Sequence, residues 1–238
     1  MPRSALKVSL IAHTPDPENT CALAARTCYS ALELEGLQEK VASSSQTAFL
    51  NGILKSGHLS VLEHASFTFF AEGVSRALLA QITRHRIASF SVQSQRYVSL
   101  SEGFNYIIPP RIEALGTEAV AEYESQMALM HKWYTEWQDK LGEGSNEDAR
   151  FVLPNACETH ITFTMNAREL LHFFSLRCCT RAQWEIRELA IKMLELVKPV
   201  APAIFEKAGP GCVRGACPEG ARSCGKVSEM REKFNSMQ

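Results

Sequence analysis

The sequence predicts an α+β fold: a mixed, mainly antiparallel sheet carrying long helices. Three stretches, "LKVSLIAHT", "HASFTFFAEG" and "CETHITFTM", alternate apolar or β-branched residues with polar ones, the pattern of half-buried strands. Elsewhere apolar residues recur at helical spacing, and no regular strand–helix–strand repeat ties the elements into a doubly wound sheet. The chain has 238 residues, 45% of them hydrophobic, enough for one substantial core or two small ones. Without internal repeats or low-complexity segments, one compact unit is the expectation.

"LKVSLIAHT" opens the sheet, and "PENTCALAARTCYS" follows as a helix begun by Pro17 and Glu18. After a polar loop, "SSQTAFLNGILKSGH" runs as a helix from a Ser-rich cap to a stop at Gly57. The strand "HASFTFFAEG" leads into "VSRALLAQITRHR", predicted as a helix that delivers Arg84, His85 and Arg86 at its C-terminal end, where the helix dipole favours cations. Residues 111 to about 139 form a long helix with Ala, Met, Leu and Trp on one face, followed by the polar break "GEGSNED". The strand "CETHITFTM" precedes "NARELLHFFSLRCCTRAQWEIRELAIKMLELVKPVAPAIF", two helices that meet near Cys178–Thr180.

The net charge is −1 and the pI about 6.7, so no chain-wide field draws this protein to nucleic acid or to an acidic membrane. The apolar run near the N-terminus is too short for a secretory or membrane-spanning segment. A cytoplasmic protein is expected. The eight cysteines, two of them adjacent at Cys178 and Cys179, fit reduced thiols better than a disulfide framework.

Against this neutral background, Arg84, His85, Arg86 and Arg96 stand among hydroxyls and amides, with no acid between Arg76 and Leu100. Such local positive charge calls for an anionic partner, and arginine forks with hydroxyls such as Ser94 suit a phosphate. Consecutive residues on a helix point about 100° apart, so Arg84, His85 and Arg86 serve different groups. A second cluster, His58, Ser60, Glu63 and His64, lies where a helix gives way to a strand; its spacing makes a metal site the weaker reading. A third comprises Arg150, Asn166, Arg168, His172, Arg177 and Arg181. On an ideal helix Asn166 and Arg177 fall near one side, Arg168 and His172 near the other. A single-stranded RNA-binding module would use Phe90 and Tyr97 as stacking platforms, but would carry more positive charge overall.

The clusters carry a resemblance. Arg84-His85-Arg86, seven residues and Ser94 match the RHR-x7-S signature of the flavin-dependent thymidylate synthases, continued by Arg96-Tyr97. With "SGHLSVLEH" upstream and "EDARFVLP" and "NAR…LR…AQWEIRE" downstream, the chain resembles that family over roughly residues 8–208. The resemblance implies a synthase domain at 1–208, followed by a Gly/Cys-rich tail at 209–238. It implies a homotetramer with sites shared between subunits. FAD is the implied cofactor, NADPH and methylenetetrahydrofolate the co-substrates, and dUMP the nucleotide converted to dTMP.

By position, Arg84, His85 and Arg86 would lie along FAD, and Gln81 and Arg84 near dUMP. Ser94, Gln95 and Arg96 would hold the nucleotide on its phosphate side, with Arg150 from another subunit. Arg177 would hold the pyrimidine and stabilise negative charge developing on it. Tyr97 would sit beside the nucleotide and His58 where folate and flavin meet. Ser60, Glu63, Asn166, Arg168 and His172 would contact FAD, and Arg181 takes a position often filled by His. Ser91 and Val92 replace the Asn and the acid of many members, which leaves a nucleotide- and flavin-binding relative with altered catalysis as the alternative. No metal is expected. For the tail thiols Cys212, Cys217 and Cys224, zinc, a redox or intersubunit role and plain thiols stay open.

Overall fold

The structure, a computed structural model, describes residues 2–237. In chain order the regular elements begin with β1 (Lys7–His13), α1 (Pro17–Thr27), α2 (Leu34–Ala42) and α3 (Thr47–Ser56). A 3-10 segment, Leu59–His64, leads to β2 (Ser66–Ser75), α4 (Arg76–Ile82) and β3 (Ala88–Val92). Next come α5 (Pro110–Glu113), α6 (Thr117–Leu141), α7 (Asn146–Ala149) and β4 (Glu158–Asn166). The chain ends with α8 (Ala167–Arg177), α9 (Trp184–Val197), α10 (Pro202–Phe205) and α11 (Val227–Ser236).

The sheet order is β1-β2-β4-β3, and each neighbouring pair is antiparallel. Thr14 N donates to Ser66 O where β1 ends and β2 begins, and Gln93 N donates to His160 O beside β3 and β4. For β2 and β4, Ala167 N donates to Ala65 O at one end and Arg76 N to Cys157 O at the other. The one parallel pairing among the described residues is the isolated bridge of Arg3 with Tyr106. An α+β fold with an antiparallel sheet is therefore what the chain forms.

The chain divides into two compact units where the sequence predicts one. The first unit holds the chain up to Lys7, Ala71–Arg84 and Phe90–Thr162. Its core gathers Phe104, Tyr106, Ile108, Met127 and Cys157. Of the 25 residues of α6 only Met127 and Tyr134 are buried. Gly73, at φ 68°, passes so close to the Ala5 carbonyl that a Cβ would overlap it, and its N–H donates to Glu158 at 2.8 Å. Only glycine meets both demands.

The second unit holds Val8–Phe70, His85–Ser89 and the chain from Phe163 on. Along α9 the buried residues Ile186, Leu189, Ala190, Met193, Leu194 and Val197 form one apolar stripe. Phe205 packs edge-on to Phe67 and Phe174 at 5.5 and 6.0 Å. The tail is tied in: Phe234 of α11 is buried, and Lys198 Nζ donates to the carbonyls of Phe234 at 2.8 Å and Met237 at 2.9 Å. Those carbonyls close α11, where a cation is favoured.

Three local expectations are corrected. Residues 34–42 form α2 rather than loop, since Leu37 and Val41 are one helical turn apart and both buried. Gly116 separates α5 from α6, so the long helix starts later than predicted. And α4 stops at Ile82, where Thr83 turns its hydroxyl and its N–H back onto Leu79 O. Arg84 therefore lies in a turn and His85 and Arg86 in irregular chain, not on a helix end.

Candidate active site

Within the second unit, the junction of β4 with α8 builds a chain of hydrogen bonds. Asn166 caps α8 by accepting from Glu169 N at 2.9 Å, which fixes the first helical turn. Glu169, Phe173 and Arg177 follow at i+4 spacing and share one face. The His85 ring packs on Phe173 at 4.8 Å. Its Nδ1 lies 2.8 Å from Glu169 Oε1, and its Nε2 accepts from Arg177 Nε at 3.0 Å. An arginine nitrogen only donates, so Nε2 must be the accepting nitrogen and Nδ1 carries the proton given to Glu169. His85 is thus a neutral imidazole of fixed tautomer, 5% exposed, against a carboxylate 6% exposed. Burial lowers its pKa below 6.5; the Glu169 hydrogen bond opposes that shift, and the Arg177 charge adds to it.

His172, exposed, stands 5.9 Å ring to ring from His85. His85, Glu169 and His172 are close enough to suggest a cation site. Both nitrogens of His85 are already engaged, and the Arg177 guanidinium beside them repels a cation. The donor set fits hydrogen-bond relay better than metal ligation.

The same unit holds two hollows, one of them at this junction. A cleft of about 540 Å³ gathers Glu63, Asn166, Arg168, His172 and Arg214, with Arg168 paired to Glu63 at 2.5 Å. Asn166 lies with Arg168 and His172 rather than with Arg177, because it is the cap and not a helical residue. Two arginines, an imidazole and an amide suit an anionic group such as a pyrophosphate. The other hollow, about 530 Å³, has a mostly apolar lining that includes Tyr29, Phe49, Ile53, His58 and Ser60, the setting for a flat ring. His58 Nδ1 lies 3.5 Å from the Tyr29 hydroxyl. His64 and Arg86 are exposed, and Arg181 donates to Arg222 O at 2.7 Å.

The first unit contributes a cationic loop. Ser94 Oγ accepts from Arg96 N at 3.2 Å, closing a turn in which Val98 N donates to Ser94 O. Arg96 Nη2 meets Glu147 Oε2 at 2.9 Å, and Arg150 Nε donates to Glu147 O at 3.0 Å. Two guanidinium groups thus converge on one residue, with Tyr97 81% exposed beside Arg96. Gln95 reaches Cys157 Sγ at 3.6 Å. Arg76 holds Gln93 O at 3.3 Å; burial, with the like charge of Arg150 adding to it, keeps it below the usual arginine range. Gln81 is half-buried in the last turn of α4, and Arg84 is exposed just after it.

Sequence reasoning missed Glu169, Glu147 and Arg76. For Glu169 the signal was present: it shares a stripe with Phe173 and Arg177, where an acid needs a buried partner.

An α+β chain whose hollows gather arginines and aromatic rings around a fixed imidazole belongs among enzymes that handle anionic, ring-bearing ligands. A family model described as thymidylate synthase complementing protein matches residues 9–203. The flavin-dependent thymidylate synthase of Geobacter sulfurreducens is 55% identical over 98% of this chain and 99% of its own. That of Clostridium tetani is 50% identical over 96% and 97%, and that of Nitratidesulfovibrio vulgaris 48% over 95% and 97%. The chain belongs to the flavin-dependent thymidylate synthase family, enzymes that methylate dUMP to dTMP with FAD as cofactor and NADPH and methylenetetrahydrofolate as co-substrates. The cationic cleft and the apolar hollow suit the two halves of FAD, its pyrophosphate and its flat ring. No helix among the described residues is long and apolar enough to cross a membrane.

Proposed function

We propose that Arg177 is the residue that activates dUMP in this thymidylate synthase, and that its setting on His85 and Glu169 aims it. The observation that carries this reading is the 3.0 Å bond from Arg177 Nε to a neutral His85. A guanidinium held through Nε keeps one orientation, and against a uracil carbonyl it favours the negative charge that develops as the ring is reduced and alkylated. On the nucleotide's phosphate side Ser94, Gln95, Arg96 and Arg150 bind, with Gln81 and Arg84 nearby. Arg96 must then exchange the Glu147 carboxylate for phosphate, a swap of like for like in charge. Tyr97 offers its exposed ring face to the nucleotide.

For the cofactor, Arg168, His172 and Asn166 bind the pyrophosphate, with Glu63 orienting Arg168, while Ser60 and His58 flank the ring. Arg84, His85 and Arg86 lie along it, His85 through Arg177 rather than by its own nitrogens. When bound, FAD would supply the reducing equivalents that it takes from NADPH.

The assembly proposed is a homotetramer with shared sites, in the cytoplasm. Supporting the oligomer, Leu129, Trp133, Trp137 and Leu141 recur at i+4 spacing on α6 and stay nearly half exposed, a face that another copy covers. Supporting the compartment, all eight cysteines are unpaired. The test is tritium release from C5-labelled dUMP with FAD, NADPH and methylenetetrahydrofolate. Release that needs every component, and falls about 10²–10³-fold in Arg177→Ala, is expected. Undiminished release in that variant would remove Arg177 from the reaction.

A further inference from the structure

Four cysteines that the synthase chemistry leaves unused line one cavity. Cys179 follows α8, Cys212 sits in a 3-10 turn, and Cys217 and Cys224 come next along the tail; together they border a hollow of about 320 Å³ within the second unit. The three tail cysteines lie beyond residue 203, where the family match ends. All four are unpaired.

The ligand loop is held from several sides. Arg231 of α11 donates to Cys212 O at 2.9 Å and to Gly215 O at 2.7 Å. Arg181 donates to Arg222 O at 2.7 Å, two residues before Cys224. Gly211 packs on the ring of Pro218, where any Cβ would come within 2.9 Å of Cγ. Such ties hold a loop in shape for a ligand that it does not itself supply.

The charges and the geometry of the lining point to one kind of ligand. Arg177 and Arg181 border the cavity, and its one acid, Glu219, lies 3.9 Å from Arg181. An anionic group ligated by four thiolates would find cations waiting. Thr180, in the same lining, directs its hydroxyl at the Cys224 sulfur, so a thiolate there already has a donor. A single zinc ion would draw four sulfurs to about 2.3 Å from one point. Among the described residues only His85, Glu169 and His172 bring three ligand atoms within 4.8 Å of one another, so these sulfurs stand around a space instead of meeting. The space exceeds by far the roughly 30 Å³ share of one water.

We propose that Cys179, Cys212, Cys217 and Cys224 ligate an iron–sulfur cluster of the [4Fe–4S] type, one thiolate to each iron. The Cys224 thiolate accepts the Thr180 hydroxyl, and Arg181 offsets the cluster's negative charge. The site adds to the synthase chemistry and does not depend on the role given to Arg177.

The experiment is anaerobic purification of the full chain and its incubation with sulfide and equal amounts of ferrous and ferric iron, the mixture at the electron count of a [4Fe–4S]2+ cluster, followed by assay of iron, acid-labile sulfide and zinc. About four irons and four sulfides per chain, with an electron paramagnetic resonance signal after dithionite, are expected. Cys217→Ser and Cys224→Ser, at the less buried positions, should each lose most of both, while Cys28→Ser keeps them. Circular dichroism and FAD content establish that the variants fold. Iron and sulfide at background in folded protein, or full retention in both tail variants, overturn the cluster. One zinc per chain without sulfide also overturns it, in favour of a single ion.

Discussion

Two arginines of this protein are held against carboxylates in opposite ways. Arg177 is linked to Glu169 through His85, and both His85 and Glu169 are buried. Arg96 touches Glu147 directly, with both side chains about half exposed. Burial makes the first arrangement rigid, because no water stands ready to replace a lost partner. Exposure makes the second exchangeable, since an ion pair in water contributes about 0–1 kcal/mol. The difference matches the tasks proposed: a group that aims at developing charge has to stay put, and a group that receives a phosphate has to let go of its resting partner.

The largest break in that comparison comes from Glu169→Ala. It leaves the buried Nδ1–H of His85 without an acceptor, at a cost of about 1–3 kcal/mol. The imidazole is then free to move its proton to Nε2, which would set two donors face to face and displace Arg177. Turnover should fall by about 10²-fold with a smaller change in KM for dUMP, and Glu169→Gln, which keeps an acceptor, should recover part of it. Urea denaturation and tritium release measure the two effects. If Glu169→Ala kept both stability and turnover, the relay would be ornamental.

A smaller effect concerns pH. Because burial lowers the His85 pKa below 6.5, the unfolded chain takes up a proton there before the folded one does. Stability from this residue is therefore intact above about pH 6.5 and declines as pH falls below it, by at most about 1.4 kcal/mol per pH unit. Glu169, Arg177 and His172 are the charged or titratable groups facing the ring. Nitrogen NMR of the His85 ring should show a Nδ1–H tautomer that persists below pH 6.5; protonation at or above that value would contradict the neutral relay.

These contrasts also explain what could be read in the sequence. Strand alternation in "HASFTFFAEG" and "CETHITFTM" follows from a sheet with one buried face, and β2 and β4 form there. The Gly57 stop of α3 is legible because its left-handed φ of 78° suits glycine. The end of α4 was not legible: a Thr83 hydroxyl folding back on Leu79 O competes with helix continuation in a way that spacing does not register. Clusters of arginine drew attention to these segments, but the acids paired with them were invisible. Glu169 is 84 residues from His85 and Glu147 is 51 from Arg96, and periodicity carries no information across such distances.

The finest test addresses the exchangeable partner. Glu147→Gln removes the charge that Arg96 now meets, and at an exposed site this should shift stability by no more than about 0.5 kcal/mol. Its effect should appear in dUMP affinity. A phosphate arriving at Arg96 no longer displaces a carboxylate, so KM should fall a few-fold at low salt, and the gap to the native protein should narrow as salt screens both interactions. Arg150, which is bound to the backbone carbonyl of Glu147, keeps its anchor in this variant, so the change isolates the side-chain pair. If KM rose instead, Glu147 would be positioning Arg96 for phosphate rather than occupying its place, and the exposed cluster would have to be regrouped with the buried one as preorganised.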